Sequence, residues 1–247
     1  MTKFAQSAPY WLDPQMKSVF PDVSEALVEP NGLLAIGGDL SVERLLSAYR
    51  SGIFPWYSHG QPILWWSPNP RTVLSLSALH VSRSLRKSLK RADYEVRFDT
   101  AFDDVVRQCA KPRKDGLGTW ITDEMRNAYL RLHKLGHAHS IEVWHDGQLI
   151  GGVYGVSLGR IFFGESMFSR REDASKIALV YLVRQLQKWE FALIDCQVYS
   201  EHLGSLGAEL MPRERYVEVL QTVCAADGRP GSWQCDLTLD EVLSRNE

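Results

Sequence analysis

The chain has 247 residues, 45% of them hydrophobic, and a formal net charge of −2. That length fits one large domain or two smaller ones with a full core. The balanced charge excludes a globally basic nucleic-acid binder, so such a partner needs a local patch. Cys109, Cys196, Cys224 and Cys235 form no Cys-x-x-Cys pair, which argues against a disulfide framework or a thiolate zinc site. With no secretory signal or long apolar span legible, a reduced cytoplasmic protein without a membrane segment is expected.

Taken in order, residues 1–14 carry mixed signals and read as an irregular arm. Phe20-Pro21 and Glu29-Pro30-Asn31-Gly32 are turns. Gly37-Gly38-Asp39-Leu40-Ser41 leads into a helix with an apolar face of Leu45, Leu46, Ala48 and Tyr49, ended by Gly52. The glycine pair lacks the spacing of a phosphate loop, which favours a turn with a helix cap. Residues 52–71 are punctuated by proline and rich in aromatics, a poor helix and a poor central strand. Trp65 and Trp66 read as packing at a domain junction, and Trp56, beside Pro55, as a binding platform.

The run from Leu79 to Arg91 places Arg83, Arg86, Lys87, Lys90 and Arg91 at i, i+3, i+4, i+7 and i+8, one face of a helix, with Leu85 and Leu89 on another. Such a face is either merely solvated or a seat for a phosphate backbone that relieves its self-repulsion. A strand over 94–98, a helix over 101–110 and a basic loop over 111–118 follow. Thr122 caps a helix with Met125, Ala128, Tyr129 and Leu132 on its apolar face. His133, His137 and His139 match no usual zinc spacing, so no metal site is expected.

The stretch over 140–198 organises the rest. Asp146-Gly147 and Leu158-Gly159 are turn signals between apolar runs, predicting antiparallel strands over 141–144, 149–156 and 160–163. A helix opens near Glu172-Asp173 and runs to Trp189, and 191–198 is a short strand buried on both faces. Asp195 and Gln197 share one face of that strand and Cys196 takes the other. Asp195 either pairs with an arginine or caps a strand end, or serves a site. Glu165 follows the third strand. Beyond this module come a turn at Ser205-Leu206-Gly207, a helix over 212–223 and a loop-rich tail.

Antiparallel strands, a helix and a further strand suggest an N-acetyltransferase-like (GNAT-like) arrangement. The loop before the helix, Ser169-Arg170-Arg171-Glu172-Asp173-Ala174-Ser175, has no glycine and brings two acids. It makes a poor cradle for a coenzyme pyrophosphate.

Several blocks then carry a specific resemblance. Glu29-Pro-Asn-Gly-Leu-Leu-Ala-Ile-Gly-Gly-Asp-Leu40, Gly52-Ile-Phe-Pro-Trp56, Ile63-Leu-Trp-Trp-Ser-Pro68, Gly118-Thr-Trp-Ile-Thr122, Leu135-Gly-His-Ala-His-Ser-Ile-Glu-Val-Trp144, Phe163-Gly-Glu-Ser-Met-Phe-Ser-Arg170 and Leu193-Ile-Asp-Cys-Gln197 resemble the bacterial leucyl/phenylalanyl-tRNA–protein transferases. The resemblance spans about Phe20 to Tyr216.

It implies an α+β fold, with a small N-terminal α/β domain over 1–70 and a GNAT-like mixed-sheet catalytic domain over 71–247. It implies transfer of leucine, phenylalanine or methionine from aminoacyl-tRNA to the α-amino group of proteins beginning with arginine or lysine, marking them for N-end rule (N-degron) degradation. No cofactor and a monomer are expected.

By the same resemblance, Asp195 and Gln197 are the catalytic candidates, and Glu165 lines the same site. Trp56 and Trp120 hold the terminal adenosine. Val153, Phe162, Leu179 and Ile194 form the side-chain pocket, and Arg83, Arg86, Lys87, Lys90 and Arg91 contact the acceptor stem. The chain departs from the family at Val153 and Ser200, where methionine and asparagine occur. A coenzyme-dependent N-acyltransferase and a non-catalytic RNA-binding protein are the alternatives. Acetyl-CoA binding would mark the first, and tRNA binding without transfer the second.

Overall fold

The computed structural model describes residues 8–16, 19–112 and 120–244, so most of the expected basic loop lies outside the described residues. Two sheets carry the architecture. The smaller is built from β1 (Tyr10–Leu12), β2 (Leu33–Gly37), β3 (Phe54–Pro55) and β4 (Leu64–Trp66), in the order β1-β2-β4-β3. Helix α1 (Val42–Arg50) shares its buried core.

Two local expectations fail here. The arm contributes a strand, because β1 pairs in parallel with β2, a partner some 25 residues away that no local pattern announces. The proline-punctuated segment supplies β4, an interior strand, with Trp65 fully buried and its indole N–H donating to the Gly37 carbonyl at 2.8 Å. Pro55 is tolerated because it lies on the edge strand β3. The Gly37-Gly38 pair is the expected turn: both have positive φ, and Ser41 caps α1.

The larger sheet has seven strands: β5 (Arg71–Ser75), β6 (Glu95–Phe98), β7 (Ala138–His145), β8 (Gln148–Leu158), β9 (Ile161–Ser169), β10 (Leu193–Gln197) and β11 (Glu209–Met211). Their order is β11-β5-β10-β9-β8-β7-β6. The expected meander is present as β7-β8-β9, with Asp146 and Gly147 both at positive φ in its first turn. The ladders are antiparallel except that β10 runs parallel to β9. The sheet is therefore mixed, within an α+β chain.

Helices cover both faces. α3 (Phe102–Cys109), α4 (Asp123–Lys134) and α7 (Arg213–Ala225) share a core with α1. α2 (Arg83–Arg91), α5 (Ala174–Lys188) and α8 (Leu239–Leu243) share the other. α5 is buried almost all round, so its sequence lacks a polar stripe. The short α6 (Glu201–Ser205) stands beyond β10. The tail is more ordered than its composition suggests: α8 carries a Thr238–Glu241 capping box, and Trp233 is buried against His139, ring centroids 3.7 Å apart. Among the described residues, no helix is long and apolar enough to cross a membrane.

Candidate active site

The parallel ladder between β9 and β10 stops at the Phe163–Asp195 pair. Past that point the two strands are free to part, and a cavity of about 1190 Å³ opens beside them. Two β-bulges shape its wall. On β9, Ser166 pairs with Tyr154 and Gly164 with Gly155, which leaves Glu165 unopposed. A Cβ at Gly155 would strike the Phe163 carbonyl, so the bulge needs glycine there. On β10, Asp195 and Gln197 pair with adjacent residues of β5, leaving Cys196 unopposed, and Gln197 adopts a positive φ of 63°. Bulges re-aim side chains, and these two bring Gln197 Nε2 to 2.9 Å from Glu165 Oε1. Glu165 thus lies inside a strand that runs on to Ser169, not after the strand as the local pattern implied.

Trp56, Trp120, Val153, Phe162, Glu165, Leu179, Ile194 and Gln197 all line this one cavity. The aromatic end is open, with Trp56 43% exposed and braced by Trp66 at a ring separation of 6.0 Å. At the other end Val153, Phe162, Leu179 and Ile194 are buried in the core shared with α5. Ser200 also lines the cavity, where it caps α6 by accepting from the Leu203 amide. Met167 and Leu182 line it too, without any sequence signal that separates them from ordinary core residues.

Asp195 does not line the cavity. It is fully buried behind Gln197, and its oxygens accept from Arg71 Nε at 2.8 Å, Arg71 Nη2 at 2.6 Å and Tyr216 Oη at 2.7 Å. A fourth donor, the Gln197 backbone N–H, reaches Oδ1 at 2.9 Å. The pairing with an arginine is therefore present, and it fixes the backbone of Gln197. Burial works against the Arg71 charge, but Asp195 beside it more than compensates and raises its pKa. Arg71 also lies over the rings of Phe54 and Tyr216. Cys196 packs against the core shared with α5 and lines the same cavity as Gln197, so the bulge overturns the expected split in which Gln197 faced with Asp195 and away from Cys196. Burial pushes its thiol well above the usual range.

Among the described residues, Glu165 forms no ion pair. Three donors hold it instead: Tyr49 Oη at 2.7 Å, Tyr129 Oη at 2.6 Å and Gln197 Nε2 at 2.9 Å. Burial lifts its carboxyl to about 7; the Tyr129 and Tyr49 hydrogen bonds oppose the rise and the charge of Asp195 adds to it. Sequence reading missed Arg71, Tyr216, Tyr49 and Tyr129. The tyrosines sit on apolar helix faces, and only the third dimension shows each hydroxyl ending on a buried carboxylate.

The basic face forms as expected on α2, where Leu85 and Leu89 are buried opposite. Arg83, Lys87, Lys90 and Arg91 are exposed. Arg86 is turned inward and donates to the Leu243 carbonyl at 2.6 Å, tying α2 to the tail. His133 contacts the Ala138 carbonyl and His139 contacts Asp99, and among the described residues no group of three ligand side chains suited to a metal ion forms.

Comparison with known proteins adds a lineage. A family model described as leucyl/phenylalanyl-tRNA protein transferase matches residues 73–221, and one for the N-terminal domain of that transferase matches residues 38–69. Curated relatives called leucyl/phenylalanyl-tRNA–protein transferase include one from Aromatoleum aromaticum, 59% identical over 92% of this chain and 95% of its own. Another, from Nitrosomonas europaea, is 57% identical over 89% of this chain and 93% of its own. Among solved structures, L-PGS from Bacillus licheniformis is 12% identical and covers 70% of this chain and 57% of its own, with a TM-score of 0.38. An aminoglycoside N-acetyltransferase is 11% identical and covers 56% of this chain and 90% of its own, with a TM-score of 0.31.

Proposed function

The chain belongs to the leucyl/phenylalanyl-tRNA–protein transferase family, and on that premise we propose how its cavity carries the reaction. The enzyme is an aminoacyltransferase that moves an amino acid from tRNA to a protein N-terminus. Leucine, phenylalanine or methionine is the group moved, and the acceptor begins with arginine or lysine and is thereby marked for N-end rule degradation. The terminal adenosine stacks on Trp56 and Trp120, and the amino-acid side chain enters the pocket of Val153, Phe162, Leu179 and Ile194. The supporting observation is that one cavity is lined by both sets of residues together with Gln197 and Glu165.

An aminoacyl ester is already activated, so catalysis is largely positioning. Holding amine and ester in attack geometry contributes about 7–11 kcal/mol. Gln197 Nε2 donates to Glu165, so its carbonyl oxygen is left to accept from the incoming amine. Asp195 acts one step back by anchoring the Gln197 backbone. The exposed cations of α2 contact phosphates, which fixes register without reading bases.

The test is a transfer assay with labelled leucyl-tRNA and two peptides, one beginning with free arginine and one N-acetylated. Label in the free peptide alone supports donor, nucleophile and reaction together. Bound tRNA without transfer to either would overturn the reading.

A further inference from the structure

Resting on that transferase reading, we infer that Glu165 is the base that takes a proton from the acceptor's α-ammonium group. A free α-amino group has a pKa of about 7.7–8.0, so near neutrality most acceptors arrive protonated and cannot attack. A proton must leave first. Two carboxylates stand near the reacting position, and the structure separates them. Asp195 is sealed behind Arg71, Tyr216 and the Gln197 amide. Glu165 is pushed by its bulge into the cavity wall, hydrogen-bonded to the Gln197 amide that meets the amine. Gln197 itself has no basic lone pair.

The groups facing Glu165 leave it as the one that changes charge. They are Tyr49 from α1, Tyr129 from α4, Tyr154 from β8, Asp195 from β10 and Arg71 from β5. Burial raises all three phenols well above their ordinary range, so they remain protonated. Arg71 and Asp195 stay charged as a closed ion pair, and the Asp195 charge still adds to the rise at Glu165. Glu165, lifted to about 7 by burial, is matched to the amine it serves. Tyr49 and Tyr129, whose hydroxyls are 2.9 Å apart, are positioning residues that aim the carboxylate.

The proton count closes. Glu165 carboxylate removes one proton from the ammonium, leaving a neutral amine. The amine lone pair attacks the ester carbonyl carbon and forms the C–N bond. The nitrogen of the tetrahedral intermediate gives its surplus proton to the departing ribose oxygen as the C–O bond breaks. The products are an amide, a tRNA with a free ribose hydroxyl, and a protonated Glu165 that returns its proton to water through the open end of the cavity.

Full-length wild type and Glu165→Gln are compared for kcat/KM toward an arginine peptide from pH 6 to pH 9. The expected defect of the variant shrinks about tenfold across that range, because the neutral-amine fraction rises through its pKa of about 7.7–8.0. A defect of equal size at every pH would overturn the inference while leaving the transferase reading intact. Wild type without transfer at any pH would overturn both. Tyr129→Phe, which keeps the ring in the core, is the second arm. It should move the acid limb of the wild-type profile to higher pH, and an unmoved limb counts against Glu165 as the base.

Discussion

Arg71 and Asp195 face each other in a two-pronged ion pair, Nη2 to Oδ2 at 2.6 Å and Nε to Oδ1 at 2.8 Å, with both side chains withdrawn from solvent. The pair joins β5 to β10 at the point where β10 bulges, so it sets the position of Gln197. Removing one partner strands a buried charge. Arg71→Met should destabilise the fold by about 3–5 kcal/mol, read from denaturant unfolding. Arg71→Met combined with Asp195→Leu should recover much of that stability but not transfer, because the Gln197 amide has lost its anchor. Full transfer by Asp195→Ala would defeat the positioning role.

Trp56 and Trp120 should act on the donor rather than on the peptide. Stacking of a base on an aromatic ring contributes about 1–3 kcal/mol. Trp56→Ala should therefore weaken aminoacyl-tRNA binding by about 5- to 150-fold with the peptide KM nearly unchanged. Equilibrium tRNA binding checks it, and an effect confined to the peptide would sink the assignment.

The α2 cations should behave unequally. Lys87→Glu should weaken tRNA binding and flatten the plot of log affinity against log salt by about 0.7–0.9 or more. Arg86→Glu should change the slope less and cost stability instead, because Arg86 is bonded to the Leu243 carbonyl. Equal slopes for wild type and Lys87→Glu would remove the patch from the tRNA interface.

On the proposed assignment, Val153, which lines the cavity, sets the depth of the side-chain pocket. Val153→Met overfills a packed wall, a change that typically costs about 1–3 kcal/mol. It should fall harder on phenylalanine than on leucine, lowering the phenylalanyl-to-leucyl ratio of kcat/KM by roughly tenfold. An unchanged ratio would place the side chain elsewhere.

Glu165 also leaves a mark on stability. Its folded pKa of about 7 lies above the ordinary 4.5. The native chain therefore binds this proton more tightly than the unfolded chain does. Its contribution to stability is full below pH 4.5 and is lost as pH rises to about 7. Stability curves of wild type and Glu165→Gln should diverge across that window, the wild type falling relative to the variant. Parallel curves would mean that the carboxyl is not perturbed.

The sequence by itself determined whatever is local or periodic. The meander over β7-β8-β9 followed from the turn signals Asp146-Gly147 and Leu158-Gly159 between apolar runs. The basic and apolar faces of α2 followed from 3.6-residue spacing. The two-residue repeat of a strand separated Asp195 from Cys196 but failed for Gln197, because the bulge at Cys196 breaks the repeat and turns Gln197 into the cavity that Cys196 also lines. Of the cavity residues, Trp56, Glu165 and Gln197 stood out by pattern, whereas Trp120, Val153, Phe162, Leu179 and Ile194 came from motif resemblance, since nothing local distinguishes Leu179 or Ile194 from any core residue.

Tertiary structure alone decided the polar cluster. Arg71 meets Asp195 across 124 positions of chain and Tyr49 meets Glu165 across 116. No periodicity encodes such a meeting. Tyr49, Tyr129 and Tyr216 fit an apolar pattern because most of each ring is apolar, while the hydroxyl that matters is one atom at its tip. The bulges at Glu165 and Cys196 add one residue to one strand, a change visible only when the partner strand's register is known. That register places one carboxylate behind an arginine and the other in the cavity wall. It divides the two buried acids into one held by an ion pair and one that lines the cavity.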